Sequence, residues 1–468
     1  MPDHNPPSPA NHSIPMRRLG VIVLAMVLGV ASLWSLIDRM RGDDATIVPV
    51  APVTATAAMT PEDTPGPAQE GTPPLEEAAL PRPGSLPDLL RYAPDRLSGA
   101  GLPLTDVGQY ADISAWMDQA GVTLPAGLDD PALAAWDAQL AHLAIPASLK
   151  ERGLDPIWAE TYGFSLLDVT QVLIVGNAPD YVMVMRGGFE ATAIQDAWVR
   201  NGYQAVEVEG TTIWSLYPED AIDLSAPASR PSMGALNNVT LLPDGTLVAA
   251  ARLSRMESAL EAIGGNAASL ADNGAIASLL DSLTESGDDA ERFVSAVISS
   301  GELLRVLPSG VPGPDATPVA EPERSITDQA LHRAVIASEL IEMPPVDLVV
   351  IGVVPAHDHG GTPAATAQGP PMVLRVILSI DGIEPGREAR QAVRRRLAES
   401  VSPVTQAPYQ SRLGDPRIIL RDVPGDRVTL TIDATLRRGA GDWLNIIEQR
   451  DLGFAMWIGP ADEPGGGS

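Results

Sequence analysis

VTQVLIVGNAPDYVMVM (residues 169–185) is the stretch on which the fold turns. Two runs rich in valine, leucine, isoleucine and methionine flank the turn cluster Ala178-Pro179-Asp180. That pattern reads as a β-hairpin. Gly187-Gly188 then opens a helix over Phe189–Arg200, which Asn201-Gly202 closes. Strands Tyr203–Val208 and Thr211–Tyr217 follow around Glu209-Gly210. A second hairpin, Val239–Leu242 and Thr246–Ala251, turns at Pro243-Asp244-Gly245. Helices over Arg255–Ile263 and Ala268–Leu283 and a strand over Phe293–Ser299 complete this half.

Five prolines between Pro308 and Glu323 break the pattern. Beyond them the same grammar returns. A helix over Asp328–Ile341 leads to strands Val346–Val354 and Met372–Ile380, then a helix over Gly386–Val401. Strands Arg417–Val423 and Val428–Ala434 turn at Pro424-Gly425-Asp426. A helix over Asp442–Arg450 and a strand over Gly453–Ile458 end it. Strand, strand, helix, strand, strand, helix thus occurs on both sides of the break. The expected class is α+β: two similar subdomains, residues 88–307 and 325–460, each a mainly antiparallel sheet with helices on one face. Residues 308–324 would be a linker and 461–468 a flexible tail. Ahead of the hairpin, Leu89–Leu154 reads as a helical cap, with helices over Asp112–Ala120 and Pro131–Leu143. Asp130-Pro131 supplies an N-cap and first-turn pair for the second of these.

Further out, residues 42–87 hold ten prolines among Thr, Ala and Glu, with no helical or strand period. This is a disordered stalk, whose reach at about 3.1 Å per residue is on the order of 100 Å. It leads back to LGVIVLAMVLGVASLWSLI (residues 19–37), an uncharged run long enough to cross a bilayer core of roughly 30 Å as a helix. Gly29 and Ala31 offer the small residues of a signal-peptidase site, but the apolar run continues through Leu33, Trp34, Leu36 and Ile37, so an uncleaved anchor is expected. Arg17 and Arg18 on one side balance Arg39 and Arg41 on the other. A start at Met16 would place its amino group with the first pair. The expectation is a short cytoplasmic tail (residues 1–18), a transmembrane anchor contacting the bilayer through 19–37, and a head outside the cytoplasm.

Composition narrows the chemistry. Thirty-one basic against sixty acidic residues give −29, which repels nucleic acid. The absence of cysteine excludes disulfides, thiolate zinc sites, iron–sulfur clusters and thiol nucleophiles. No P-loop, G-x-S-x-G elbow, post-strand G-x-G-x-x-G or H-E-x-x-H occurs, and no cofactor is expected. Val353-Val354-Pro355-Ala356-His357-Asp358-His359-Gly360-Gly361, after an apolar strand, resembles the His-x-His element of the amidohydrolase superfamily. The resemblance implies that His357 and His359 are metal ligands. It covers nine residues, and neither histidine nor lysine follows to complete that ligand set, so a plain solvated loop is the expectation, with weak metal binding by His357 and His359 as the alternative.

The remaining histidines, His4, His12, His142 and His332, stand alone. Arg387, Arg390, Arg394, Arg395 and Arg396 share one helix, with Arg390 and Arg394 beside the stripe of Val393, Leu397 and Val401. Their stems are expected on the sheet and their charges on acids at its rim. With only four Phe, the tryptophans are expected in the core. The functional expectation is a membrane-anchored extracytoplasmic binding or scaffolding protein of the cell envelope, more a binder of an envelope protein or ligand than an enzyme. Two other classes stay open: an envelope hydrolase with a carboxylate site, and a carrier of a small ligand or lipid, marked by an apolar cavity between sheet and helices.

Overall fold

The computed structural model describes residues 85–95, 108–177, 180–217, 227–284, 293–306, 343–356, 371–402 and 404–458. The apolar run 19–37, the stalk, the turn residues 178–179, the linker, the helix expected over 328–341 and the tail lie outside the described residues. Among the described residues, no helix is long and apolar enough to cross a membrane.

The chain enters through α1 (Leu86–Leu90), β1 (Gly108–Asp112) and four short helices. These are α2 (Ile113–Ala120), α3 (Leu133–Leu140), α4 (Ala147–Arg152) and α5 (Pro156–Tyr162). The hairpin read from sequence is β2 (Val169–Asn177) and β3 (Asp180–Gly187), followed by α6 (Ala191–Arg200). Then come β4 (Gln204–Val208), β5 (Thr211–Ser215), β6 (Asn238–Leu241) and β7 (Leu247–Ala250). Helices α7 (Leu253–Ile263) and α8 (Gly274–Thr284) lead to β8 (Ser295–Ser300) and β9 (Arg305–Val306). The second half runs β10 (Leu348–Pro355), β11 (Met372–Asp381), α9 (Ile383–Glu399), β12 (Leu413–Val423), β13 (Arg427–Leu436), α10 (Asp442–Glu448) and β14 (Trp457–Ile458).

The two halves do not hold separate sheets. Twelve strands form one antiparallel sheet in the order β12-β13-β11-β10-β8-β1-β2-β3-β7-β6-β5-β4. Its two arms, five and seven strands, meet at the β1–β8 pair, with Gly108 opposite Ile298 and Tyr110 opposite Ala296. Outward from that pair the order is β1-β2-β3-β7-β6 on one side and β8-β10-β11-β13-β12 on the other. In both arms the last two strands enter in reversed order, after a helix. The first arm carries the hairpin β4–β5 in addition.

Helices cover both faces rather than one. Trp116, Trp136, Trp158, Ile194, Trp198, Val393, Leu397 and Trp443 pack with Val172, Met183, Val349, Ile351, Val376 and Leu430 on the first face. On the second, α1, α7 and α8 bring Leu89, Leu90, Met256, Leu260, Ile276 and Leu279 against Leu173, Val182, Val184, Ile298, Val350 and Ile377. The reason lies in the strands themselves. VLIV, YVMVM and LVVIGVV are apolar at consecutive positions, so both sides of the sheet must be removed from water. Gly352, inside β10, has no room for a side chain: a Cβ would come 2.3 Å from the Ser295 carbonyl oxygen.

Element ends differ from the sequence reading in a few places. Residues 108–112, read within a helical stretch, form the central strand β1. Asp130 accepts from the Ala126 and Ala132 N–H groups, which ties off a turn, and α3 starts only at Leu133. Ala268–Leu283 is interrupted at Asn273, whose side chain caps α8. The last strand is Trp457–Ile458 alone, parallel to β9.

Candidate functional site

The sheet's midline ends in a cavity of about 330 Å³ on the second face. Gly108 begins β1 there, between Val175 of β2 and Ile298 of β8. Ser300, Asp347, Leu348 and Arg427 form the rim toward β10 and β13, and α8 supplies Ala275 and Ile276 from above. The mixture of apolar wall and few polar groups is the usual make-up of a small-molecule pocket, at the small end of the size range.

Its polar groups are held in place. Asn273 accepts from the Ala275 and Ile276 N–H groups at 3.1 and 3.3 Å, which caps α8, and donates through Nδ2 to Asp95 Oδ1 at 2.7 Å. The Asp95 N–H donates to the Ala268 carbonyl and the Leu270 N–H to the Ala93 carbonyl, so 93–95 is strapped to 268–270. Ser269 and Asp272 close the strap with a reciprocal capping box. The Ser269 hydroxyl and N–H hold the Asp272 carboxyl below its usual value. Across the cavity, Arg427 and Asp347 approach to 3.6 Å with about a third of each side chain exposed, a weak pair. Asp95 has no ion-pair partner among the described residues. Beside the rim, Ser379 is the cross-strand neighbour of both Leu348 and Thr429. The Ser379 and Thr429 hydroxyls are fully buried and make no hydrogen bond among the described residues.

A second, polar cleft of about 530 Å³ lies between α3 and α10, lined by Gln139, His142, Arg438, Asn445 and Glu448 among others. His142 follows α3 and packs beside the Trp116 ring, 5.9 Å between centroids. The Trp443 indole donates to its carbonyl at 2.9 Å. A Cβ at residue 441 would come 2.0 Å from His142 Nδ1, so Gly441 is what lets the imidazole seat. Burial, then the nearby Lys150 charge, lowers the His142 pKa. Burial lowers Lys150 as well, against the pull of Glu448, Asp137 and Glu151. A neutral imidazole beside an ammonium would need a nucleophile to serve catalysis, and no hydrogen bond links the ring to a hydroxyl among the described residues.

The residues singled out from sequence fall in different places. His357 and His359 lie outside the described residues, beyond the end of β10, as do His4, His12 and His332. Among the described residues no group of three or more His, Asp or Glu could hold a metal ion. Of the arginine helix, Arg396, not Arg390 or Arg394, is the buried member. It donates to the Gly453 and Met456 carbonyls, while Arg394 is exposed and Arg387 pairs with Glu384 at the surface. Trp116, Trp136, Trp158, Trp198 and Trp443 are fully buried, Trp457 is buried, and Trp214 is half-buried.

The displaced carboxyls Asp130, Asp244 and Asp272 all move downward. Burial raises Asp244, but hydrogen bonds from Tyr92 and Thr246 and the Arg186 charge outweigh it. Such groups are caps and ion-pair members, the opposite of a general acid. No protein family, curated protein or solved structure matches this chain.

Proposed function

We propose that this chain is a membrane-tethered binding and scaffolding protein of the cell envelope, whose head receives an extended segment of an envelope protein along β4. The observation that carries the reading is the contrast between the two sheet edges. β12 is guarded in the manner of edges that avoid pairing: Pro416, a register shift between Gly414 and Arg417, and Asp415, Arg417, Arg421 and Asp422. β4 (QAVEV) has no proline, no shift in its pairing with β5, and one charge, Glu207, against four on β12. Among the described residues no strand pairs with the outer side of β4, and such an edge offers main-chain hydrogen bonds to an incoming strand.

The uncharged run 19–37 and the proline-rich 42–87 support the tether, and the −29 charge supports a partner other than nucleic acid. The same reading takes the matching strand orders of the two arms as an internal duplication, with β4–β5 added to the first. His357 and His359 stand in it as a weak, adventitious metal site, for which substitution of both by alanine leaves partner binding unchanged.

The test uses the full chain in spheroplasts. Protease added outside should digest the membrane-bound head, and a photo-crosslinker at Gln204 should join it to an envelope protein. Of Ala205 and Val206, the one whose N–H points away from β5 tolerates proline without loss of thermal stability. That variant should lose the crosslink, and a crosslinker at Arg417 on β12 should yield none. A head protected from protease, or a crosslink indifferent to the tolerated proline, would overturn the reading.

A further inference from the structure

We infer that the cavity at the β1–β8 midline binds a small amphiphilic amine, an apolar body ending in a protonated amino group that pairs with Asp95. This is independent of the strand-addition reading, since the cavity lies at the sheet's centre and β4 at its far edge.

Four observations converge on that ligand class. The walls are Val175, Leu270, Ile276, Ile298 and Leu348, apolar side chains that exclude water from a molecule's body. Asp95 and Asp347 bring two negative charges to the lining and Arg427 one positive. Arg427 lies against Asp347, so among the described residues the charge left without an ion-pair partner is the Asp95 carboxylate. That carboxylate is oriented in advance. Asn273 holds one oxygen at 2.7 Å and is itself locked by capping α8, and the backbone at 95 is tied to Ala268. No described residue donates to the second oxygen, which can accept from a ligand, and a charge-assisted bond there is stronger than a neutral one. Finally, a chain of net charge −29 concentrates cations and repels anions near its surface. An alkyl carboxylate would meet two carboxylates against a single arginine, itself loosely paired with Asp347. An alkyl alcohol would fill the walls but leave the charge unanswered.

The experiment is calorimetric titration of the full chain in lipid nanodiscs, with empty nanodiscs as the blank. Three probes share one chain length: hexylammonium, 1-hexanol and hexanoate. Hexylammonium should bind roughly tenfold tighter than hexanol, and hexanoate weakest. Asp95→Asn keeps the acceptor for Asn273 and removes the charge, so hexylammonium should fall to the level of hexanol. Arg427→Gln removes the cation and should tighten hexylammonium, a gain that misfolding cannot produce. Equal affinity for amine and alcohol, an amine affinity unmoved by Asp95→Asn, no gain from Arg427→Gln, or no binding of any probe would each overturn the inference. Binding of hexanol alone would leave a carrier of neutral ligands. None of these outcomes alters the β4 crosslinking test.

Discussion

His142 shows how much a single position owes to residues far away in the chain. Its ring sits against the backbone of Gly441, some three hundred residues further on, and beside Trp116. Neither neighbour is within local reach along the chain, so no pattern around His142 announces them, and the contact with Gly441 depends on an absent side chain. Gly441→Ala should therefore expel the imidazole and lower the thermal midpoint, and His142→Ala in the same chain should recover part of the loss. The pH dependence follows from the same burial. The folded state holds His142 below its unfolded value of about 6.5, so the unfolded state binds the extra proton first. Stability is complete above that value and declines as pH falls from it through the folded pKa. Urea midpoints measured between pH 7.5 and 5.5 should fall for the native chain and flatten in His142→Gln. An unchanged slope in the variant would remove His142 as the cause. The tryptophans were more legible: with four Phe in 468 residues, size alone directs indoles to the core, and five are fully buried.

At the scale of elements, strands with β-branched runs were readable and those without were not. β1 is GQYAD, with no valine, isoleucine or threonine, and its extended form is imposed by β2 and β8 on its two sides. The missed helix break at Asn273 has a local signal, an Asn-Gly pair that caps one element and ends another. The arginine cluster on α9 was read by periodicity, yet what decides burial is the carbonyls of Gly453 and Met456, supplied by a distant segment. That segment is fastened by Arg412, ahead of β12. Its guanidinium donates to both Asp442 oxygens at 3.0 and 2.6 Å and to Asp451, which also accepts from Ser402 and Tyr409. The Arg412 and Asp451 side chains are 3% and 0% exposed. Burial pulls the guanidinium pKa down, and the two carboxylates outweigh it and raise it. Arg412→Met leaves two carboxylates buried without their cation, which costs about 3–5 kcal/mol. The urea midpoint should drop accordingly. Adding Asp451→Leu should return part of it, since an unpaired buried charge is worse than none.

For the whole molecule, the proline-rich break at 308–323 suggested two bodies, and the sheet makes them one. β8, before the break, pairs along its length with β10 after it, from Leu348 opposite Ser300 to Val353 opposite Ser295. β9 pairs in parallel with β14, and the Arg450 and Trp457 side chains donate to the Leu303 and Gly301 carbonyls. The helical cap reaches across as well: the Trp443 indole donates to the His142 carbonyl. Local sequence could reveal the repeated order of elements, but the joining of their sheets depends on edge pairing, which leaves no periodic mark. A consequence follows for cutting the chain. A protease site placed between residues 310 and 316 should be cleaved without releasing either fragment, because the β8–β10 and β9–β14 ladders, side-chain bonds and a common core hold the halves together. In size-exclusion chromatography the nicked protein should elute with the uncut one, and urea should separate and unfold both fragments in a single transition. Fragments that part under native conditions, or that melt at separate midpoints, would mean that the β8–β10 and β9–β14 junctions contribute little. In that case the two arms would be independent domains that merely share an edge.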